Sequence, residues 1–341
     1  MEDRLHTKPV FSGTSTDLDR FVTGILNDLS LGELAYYAGQ KYAAKPVVTE
    51  AGYTLPEAVQ GGIDATAGVE TDFPMPLHIG NSWDIKLAQK IGTVMGNERR
   101  GELEAGNPNT LIYSGNADLR PNALNGRYYE GYSEDPVLCG EMAAATGLGV
   151  AGDDPFYIKT QVGTKHFNVH YSEWDRRYVS KFVSARSMYE YYAKAFIKSF
   201  REGRMHGVMT AYGGVNGIPS AISPFLKLLE EYSGYHLFNV SDFNGDGNLL
   251  LGNGNGYDKT YATSAAQVAA LLLKAKSYSN NHVESTVTPE DFVKAVENKL
   301  LGVDICDLRE YVRPQIELWV RSGYFNLEDY PYASIAADGT P

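Results

Sequence analysis

Cysteine is nearly missing from this 341-residue chain. Cys139 and Cys306 are the two present, too few for a disulfide framework or a cysteine-based zinc site. Long apolar runs are missing too, since none approaches the roughly 20 residues that a bilayer span requires. The opening MEDRLHTKPVF has no apolar stretch of the kind that precedes a signal cleavage site. That suits a cytoplasmic protein and a processed secreted form equally, so the compartment stays open. There is no basic excess either: 30 Lys+Arg against 42 Asp+Glu give a formal net charge of −12. A nucleic-acid partner, whose phosphates demand a basic face, is therefore not expected, nor is a membrane. No low-complexity linker and no repeat with a period of about 20–50 residues interrupts the chain.

What is there reads as a globular protein, 43% hydrophobic and 21% charged, long enough for two domains or for one α/β barrel. The 24 tyrosines suit sugar binding, because a phenol ring offers an apolar face and a hydroxyl tip together. Short apolar runs alternate with helical patterns. NTLIYSG, PFYIKTQVGTKHF, HGVMTAY and YHLFNVSD read as strands, separated by PVLCGEMAAATGLGVAG, RSMYEYYAKAFIKSFREG and SPFLKLLEEYSG as helices. In the second helix Ser187 and Glu190 are expected to form a capping box, with Gly203 as the stop. Strand–helix alternation over this length predicts a parallel sheet and a single-domain (β/α)8 TIM barrel, with local irregularities. In such barrels the chemistry sits at the carboxyl ends of strands, and KHF, TAY and SDFNGDG each close an apolar run.

The stretch NVSDFNGDGNLL (239–250) begins, from Asp242, like a calcium-binding EF-hand loop. That loop needs a bidentate acid at its twelfth position and flanking helices, whereas position twelve here is Asn253 and the preceding residues alternate like a strand. No metal site is expected. Asp246 and Gly247 read as a solvated turn, while Asp242 stands at the strand terminus.

Five ordered stretches resemble the amino-terminal barrel domain of family 3 glycoside hydrolases: FPMPLHIGNSWD (73–84) with IGTVMGNERR, GRYYEGYSEDPVL (126–138), KHF (165–167), EGRMHGVMTAYGGVNGIPS (202–220) and FNVSDF (238–243). The resemblance covers roughly residues 50–330. It implies residues 1–45 as a segment leading into the barrel, 46–330 as the barrel, and 331–341 as a tail where the usual α/β sandwich domain is absent. It further implies a retaining, exo-acting β-glucosidase-like hydrolase without a cofactor, acting on a β-linked oligosaccharide or glycoside. Such chemistry uses two carboxyl groups about 5–5.5 Å apart. By motif match Asp242 is the nucleophile. Lys165, His166, Arg127, Tyr212, Met209 and Phe243 would line the subsite of the terminal sugar, with Arg127 as a forked donor to vicinal hydroxyls. Met209 fits a core position equally well, and Glu130, Glu134 and Asp135 read as a buried ion-pair network.

The chain departs from the family pattern in places. Gly213 stands where asparagine is usual. PEAVQGG makes Glu57 the acid gripping the distal hydroxyls, with Gln60 in place of histidine. Arg120-Pro121 is shifted from the usual arginine position. The general acid/base, which two-domain members carry on the following domain, is not identifiable; Glu173 and Asp175 are the local candidates, and a separate domain or subunit donating that group is an expected partner. The alternatives are a β-xylosidase, a β-N-acetylhexosaminidase lacking its usual Asp-x-His pair, and a sugar-binding barrel that no longer hydrolyses.

Overall fold

The computed structural model describes residues 10–13, 15–39, 47–52, 54–55, 63–64, 71–104, 111–242, 245–250, 261–278 and 286–335. Within them six strands form one parallel sheet: β1 (Ile63–Asp64), β2 (Leu111–Asn116), β3 (Gln161–Phe167), β4 (Gly207–Thr210), β5 (Asn239–Ser241) and β6 (Ser277–Tyr278). Their order in space follows their order in sequence, with no reversal. A doubly wound sheet reverses at a switch point, so a constant direction of winding is the barrel's signature. Among the described residues β1 and β6 are not paired with each other.

Helices fill the crossovers. After α1 (Leu18–Asp28) and α2 (Leu31–Gly39) come α3 (Ile85–Glu104), α4 (Pro136–Ala151), α5 (Lys194–Glu202), α6 (Phe225–Ser233) and α7 (Ala265–Ala275), then α8 (Pro289–Glu297) and α9 (Ile305–Arg321). Among the described residues no helix is long and apolar enough to cross a membrane. All seven residues of β3 are buried, as expected of a parallel strand covered on both faces. The α3–α4 crossing is close because Gly149 lies there; a Cβ would fall 2.1 Å from the Gln89 carbonyl oxygen. The amino-terminal helices join the main core, where Phe11, Val22 and Ile25 pack in one cluster with Leu308, Val312 and Ile316 of α9.

Two local expectations are corrected. Among the described residues Asp135 has no ion-pair partner; it is the N-cap of α4, its carboxylate accepting from the N–H of Val137 (2.9 Å) and Leu138 (2.7 Å) in the first helical turn opened by Pro136. The helix leading to α5 is capped by Ser184, not Ser187. Ser184 has the extended backbone a cap requires and accepts from the Ser187 N–H at 3.0 Å, whereas Ser187 is already helical. Glu190 meanwhile pairs with Arg186 at 2.8 Å. Gly203 does end α5.

Candidate active site

The strand register sets the site. Lys165 of β3 lies opposite Met209 of β4, and Met209 opposite Val240 of β5. Lys165, His166, Tyr212 and Asp242 thus all fall at the carboxyl end of the sheet, three neighbouring strands contributing to one rim. The Asp242 N–H donates to the Thr210 carbonyl at 3.0 Å, continuing the ladder one residue past β5 and fixing the direction of the side chain. Asp242 is only 5% exposed. The Tyr212 hydroxyl donates to its carboxylate, and burial together with that charge pushes the phenol up to about 12. His166 Nε2 stands 3.5 Å from Asp242 Oδ2. This is no ion pair: burial first, then the neighbouring Lys165, His170 and arginines, hold the imidazole well below its ordinary value and hence neutral.

A buried brace lies behind His166. The carboxylate of Asp118, just past β2, accepts from the backbone N–H of His166 (3.0 Å, Oδ2) and of His170 (3.3 Å, Oδ1). Arg120 donates to the His170 carbonyl at 2.8 Å. Both side chains are buried. Burial pushes the Asp118 carboxyl up, while Arg120 and the two N–H groups pull it down. Arg120, shifted from the family's usual arginine position, clamps the turn after KHF. Asp118 was not singled out from sequence, although its place in ADLRP, at the end of a strand, was the available signal.

One edge of the Arg127 guanidinium is already taken. Nε and Nη2 close on Glu130 at 2.8 and 2.6 Å, because the carboxylate three residues on matches a guanidinium edge. Glu130 also accepts from Asn116 Nδ2 at 3.0 Å. Glu173 is similarly engaged: Oε1 meets His170 Nε2 at 2.9 Å and Oε2 accepts from Arg176 at 2.6 Å. Burial would raise its carboxyl, but the bonds to His170 and Arg176 outweigh that and leave it below the ordinary carboxylate range. A general acid needs the opposite shift.

Arg176 and Arg177, adjacent residues not singled out from sequence, place their guanidinium carbons 4.9 and 4.6 Å from the Tyr212 ring centroid. Gly213 explains how that segment comes so near. A Cβ there would lie 2.6 Å from the Val179 carbonyl oxygen and 2.9 Å from Lys181 Nζ, so the asparagine usual at this position would not fit. Asn248 ties the following loop back, donating to the carbonyls of Arg177 (2.8 Å) and Tyr212. Asp246, read from sequence as part of a solvated turn, is fully buried on the 3-10 turn Gly245–Leu249. Met209 is half-buried and packs on the core. Glu57 and Phe243 lie outside the described residues. No group of three or more His, Cys, Asp or Glu side chains is arranged to hold a metal among the described residues.

A model of the glycosyl hydrolase family 3 N-terminal domain matches residues 32–249. The β-glucosidase of Rhizobium radiobacter is 28% identical over 193 residues, covering 56% of this chain and 22% of that protein. A probable exo-1,4-β-xylosidase of Aspergillus terreus is 29% identical over 276 residues, covering 78% of this chain and 35% of that protein. The chain thus spans about a third or less of these relatives' length. A GH3 exo-β-xylosidase solved with a xylobiose aziridine activity-based probe superposes with a TM-score of 0.79 at 24% identity, over 98% of this chain and 45% of that one. At that identity the likeness speaks for the fold, the (β/α)8 barrel expected from sequence.

Proposed function

The chain belongs to glycoside hydrolase family 3, and on that premise we propose that it is the nucleophile-bearing barrel of a retaining, exo-acting β-glycosidase of the β-glucosidase and β-xylosidase kind. One observation carries this reading: the Asp242 carboxylate stands 5% exposed at a strand end, oriented by the Tyr212 hydroxyl and close to a neutral His166. Asp242 attacks the anomeric carbon, the leaving oxygen departs with a proton, and water resolves the glycosyl ester. Lys165 and His166 lie on the same rim as donors to ring hydroxyls. Glu173 serves as a fixed anion that orients His170 and Arg176. The proton for the leaving group then comes from a carboxyl on a separate domain or subunit.

Incubation of the protein with 2-deoxy-2-fluoro-β-D-glucosyl or -xylosyl fluoride, followed by intact mass and peptide mapping, tests the assignment. One covalent sugar on Asp242 is the expected result, and azide accelerates aryl-glycoside turnover because the proton donor is external. Saturable sugar binding with neither an adduct nor aryl-glycoside turnover would refute hydrolysis in favour of a sugar-binding barrel.

A further inference from the structure

Around Tyr212 the positive charges are not all matched. Arg127 is closed on Glu130, and Arg176 on Glu173. Arg177 and Lys181 have no carboxylate at ion-pair distance among the described residues. Arg177 lies 4.6 Å from the Tyr212 ring centroid, and Lys181 Nζ lies 2.9 Å from the Cβ position of Gly213, the next residue. Lys181 is 6% exposed and its ammonium makes no hydrogen bond. Asp118 and Glu173 act on the Lys181 ammonium against its burial, so among the described residues Arg177 is the cation at this wall that lacks a carboxylate, and in a chain of net charge −12 it calls for an anion.

Resting on the glycosidase reading above, we propose that this site takes a glycoside bearing a carboxylate, and that Arg177 binds that carboxylate. A guanidinium stacked on a ring is held by its face, which leaves its in-plane N–H donors for a bidentate acceptor. Asn248 fixes the Arg177 carbonyl at 2.8 Å, so the side chain springs from an anchored backbone. Lys181 is too buried to touch substrate; its charge raises the positive potential of the wall in a region where water screens little. The acidic group sits either on the sugar that forms the ester, as in a uronide, or on the leaving group.

The test compares 4-nitrophenyl β-D-glucuronide and 3-carboxy-4-nitrophenyl β-D-glucoside with neutral 4-nitrophenyl β-D-glucoside, using the intact chain and its Arg177→Gln and Arg177→Lys variants. Calorimetric binding of D-glucuronate against D-glucose, and of 5-hydroxy-2-nitrobenzoate against 4-nitrophenol, runs alongside. One carboxylated ligand should be preferred by roughly 10- to 100-fold at low salt, the worth of a charge-assisted bidentate contact. Added salt should shrink the preference, Arg177→Gln should erase it, and Arg177→Lys should keep part of it. The glucuronide arm places the acid on the glycone, the carboxyphenyl arm on the leaving group. Equal handling of neutral and acidic ligands by the native protein overturns the proposal. So does an Arg177→Gln loss that is the same for both, which would make Arg177 merely a counter-charge to Asp242. If no fluoro-sugar adduct forms yet the binding preference for the acid persists, the hydrolytic reading fails and the carboxylate site stands.

Discussion

Replacing Asp118 with asparagine should unmake the brace behind the site without touching its surface. The native carboxylate accepts two backbone N–H groups, from His166 at 3.0 Å and His170 at 3.3 Å, and its charge faces the fully buried Arg120. An amide retains one acceptor oxygen; its NH2 end confronts the second N–H, which is left buried and unpaired. An unpaired buried N–H costs about 1–3 kcal/mol, and loss of a hydrogen bond to a charged group about 1.5–3 kcal/mol. Arg120 also loses its buried counter-charge, for which one-sided removal costs about 3–5 kcal/mol. These overlap and do not add, so Asp118→Asn should destabilise by about 3–5 kcal/mol and lower the melting temperature by roughly 4–7 °C. Because both held peptides carry site histidines, kcat/KM on aryl glycosides should fall by about 100-fold. Asp118→Asn/Arg120→Met should regain part of the stability, since no lone buried charge remains. Thermal and urea unfolding with steady-state kinetics measure all three. Unchanged melting with unchanged kcat/KM in Asp118→Asn would show that the brace holds nothing.

Tyr212→Phe removes the hydroxyl that bonds Asp242 and should lower kcat/KM on activated aryl glycosides by about 10- to 100-fold with little change in melting; equal kcat/KM refutes the contact. Gly213→Ala places a methyl 2.6 Å from the Val179 carbonyl oxygen and should cost about 1–3 kcal/mol of stability, read by urea titration, with Gly213→Asn worse. Glu173, held below its unfolded value of 4.5, contributes stability that is present above that value and lost as pH falls through its lower folded one. The stability gap between the native protein and Glu173→Gln should therefore close in acid. His236 runs the other way. Its bond to Glu317, against the opposing effect of burial, raises it above 6.5, so its contribution is complete below 6.5 and lost as pH rises through the folded value. A His236→Gln variant should differ from native in unfolding at pH 6 and converge with it at alkaline pH.

The sheet and the place of Asp242 at a strand end were legible because they rest on local patterns. Apolar runs ending in KHF, TAY and SD mark strand termini, and the register then brings Lys165, Met209 and Val240 level. Pairing between polar side chains was legible only in part: Glu130 read as a member of an ion-pair network, and it does pair with Arg127. The edge of Arg127 formed by Nε and Nη2 is the one that Glu130 takes, and only three-dimensional placement decides which edge that is. The cap slipped from Ser187 to Ser184 because both positions are serine, and backbone dihedrals choose which lies outside the helix. Gly213 looked like a departure from the family pattern. In space it is the opening through which the Val179 carbonyl and the Lys181 ammonium approach, a reason that no neighbour in sequence could supply.

The carboxyl groups around the rim divide by what surrounds them, and that division argues where the proton comes from. Asp242 accepts from a phenol at the end of a strand. Glu130 faces Arg127 and Asn116. Glu173 faces His170 and Arg176, which hold its carboxyl below the ordinary range, so it is not suited to hold a proton for transfer. Asp118 is the one that burial pushes up, but its two oxygens accept N–H groups of the chain itself, and a proton placed there has no path to a leaving oxygen. Glu130, Glu173 and Asp118 are thus committed to orienting the groups they bond. On the proposed reading, in which Asp242 forms the glycosyl ester, the proton is delivered by a carboxyl other than these three.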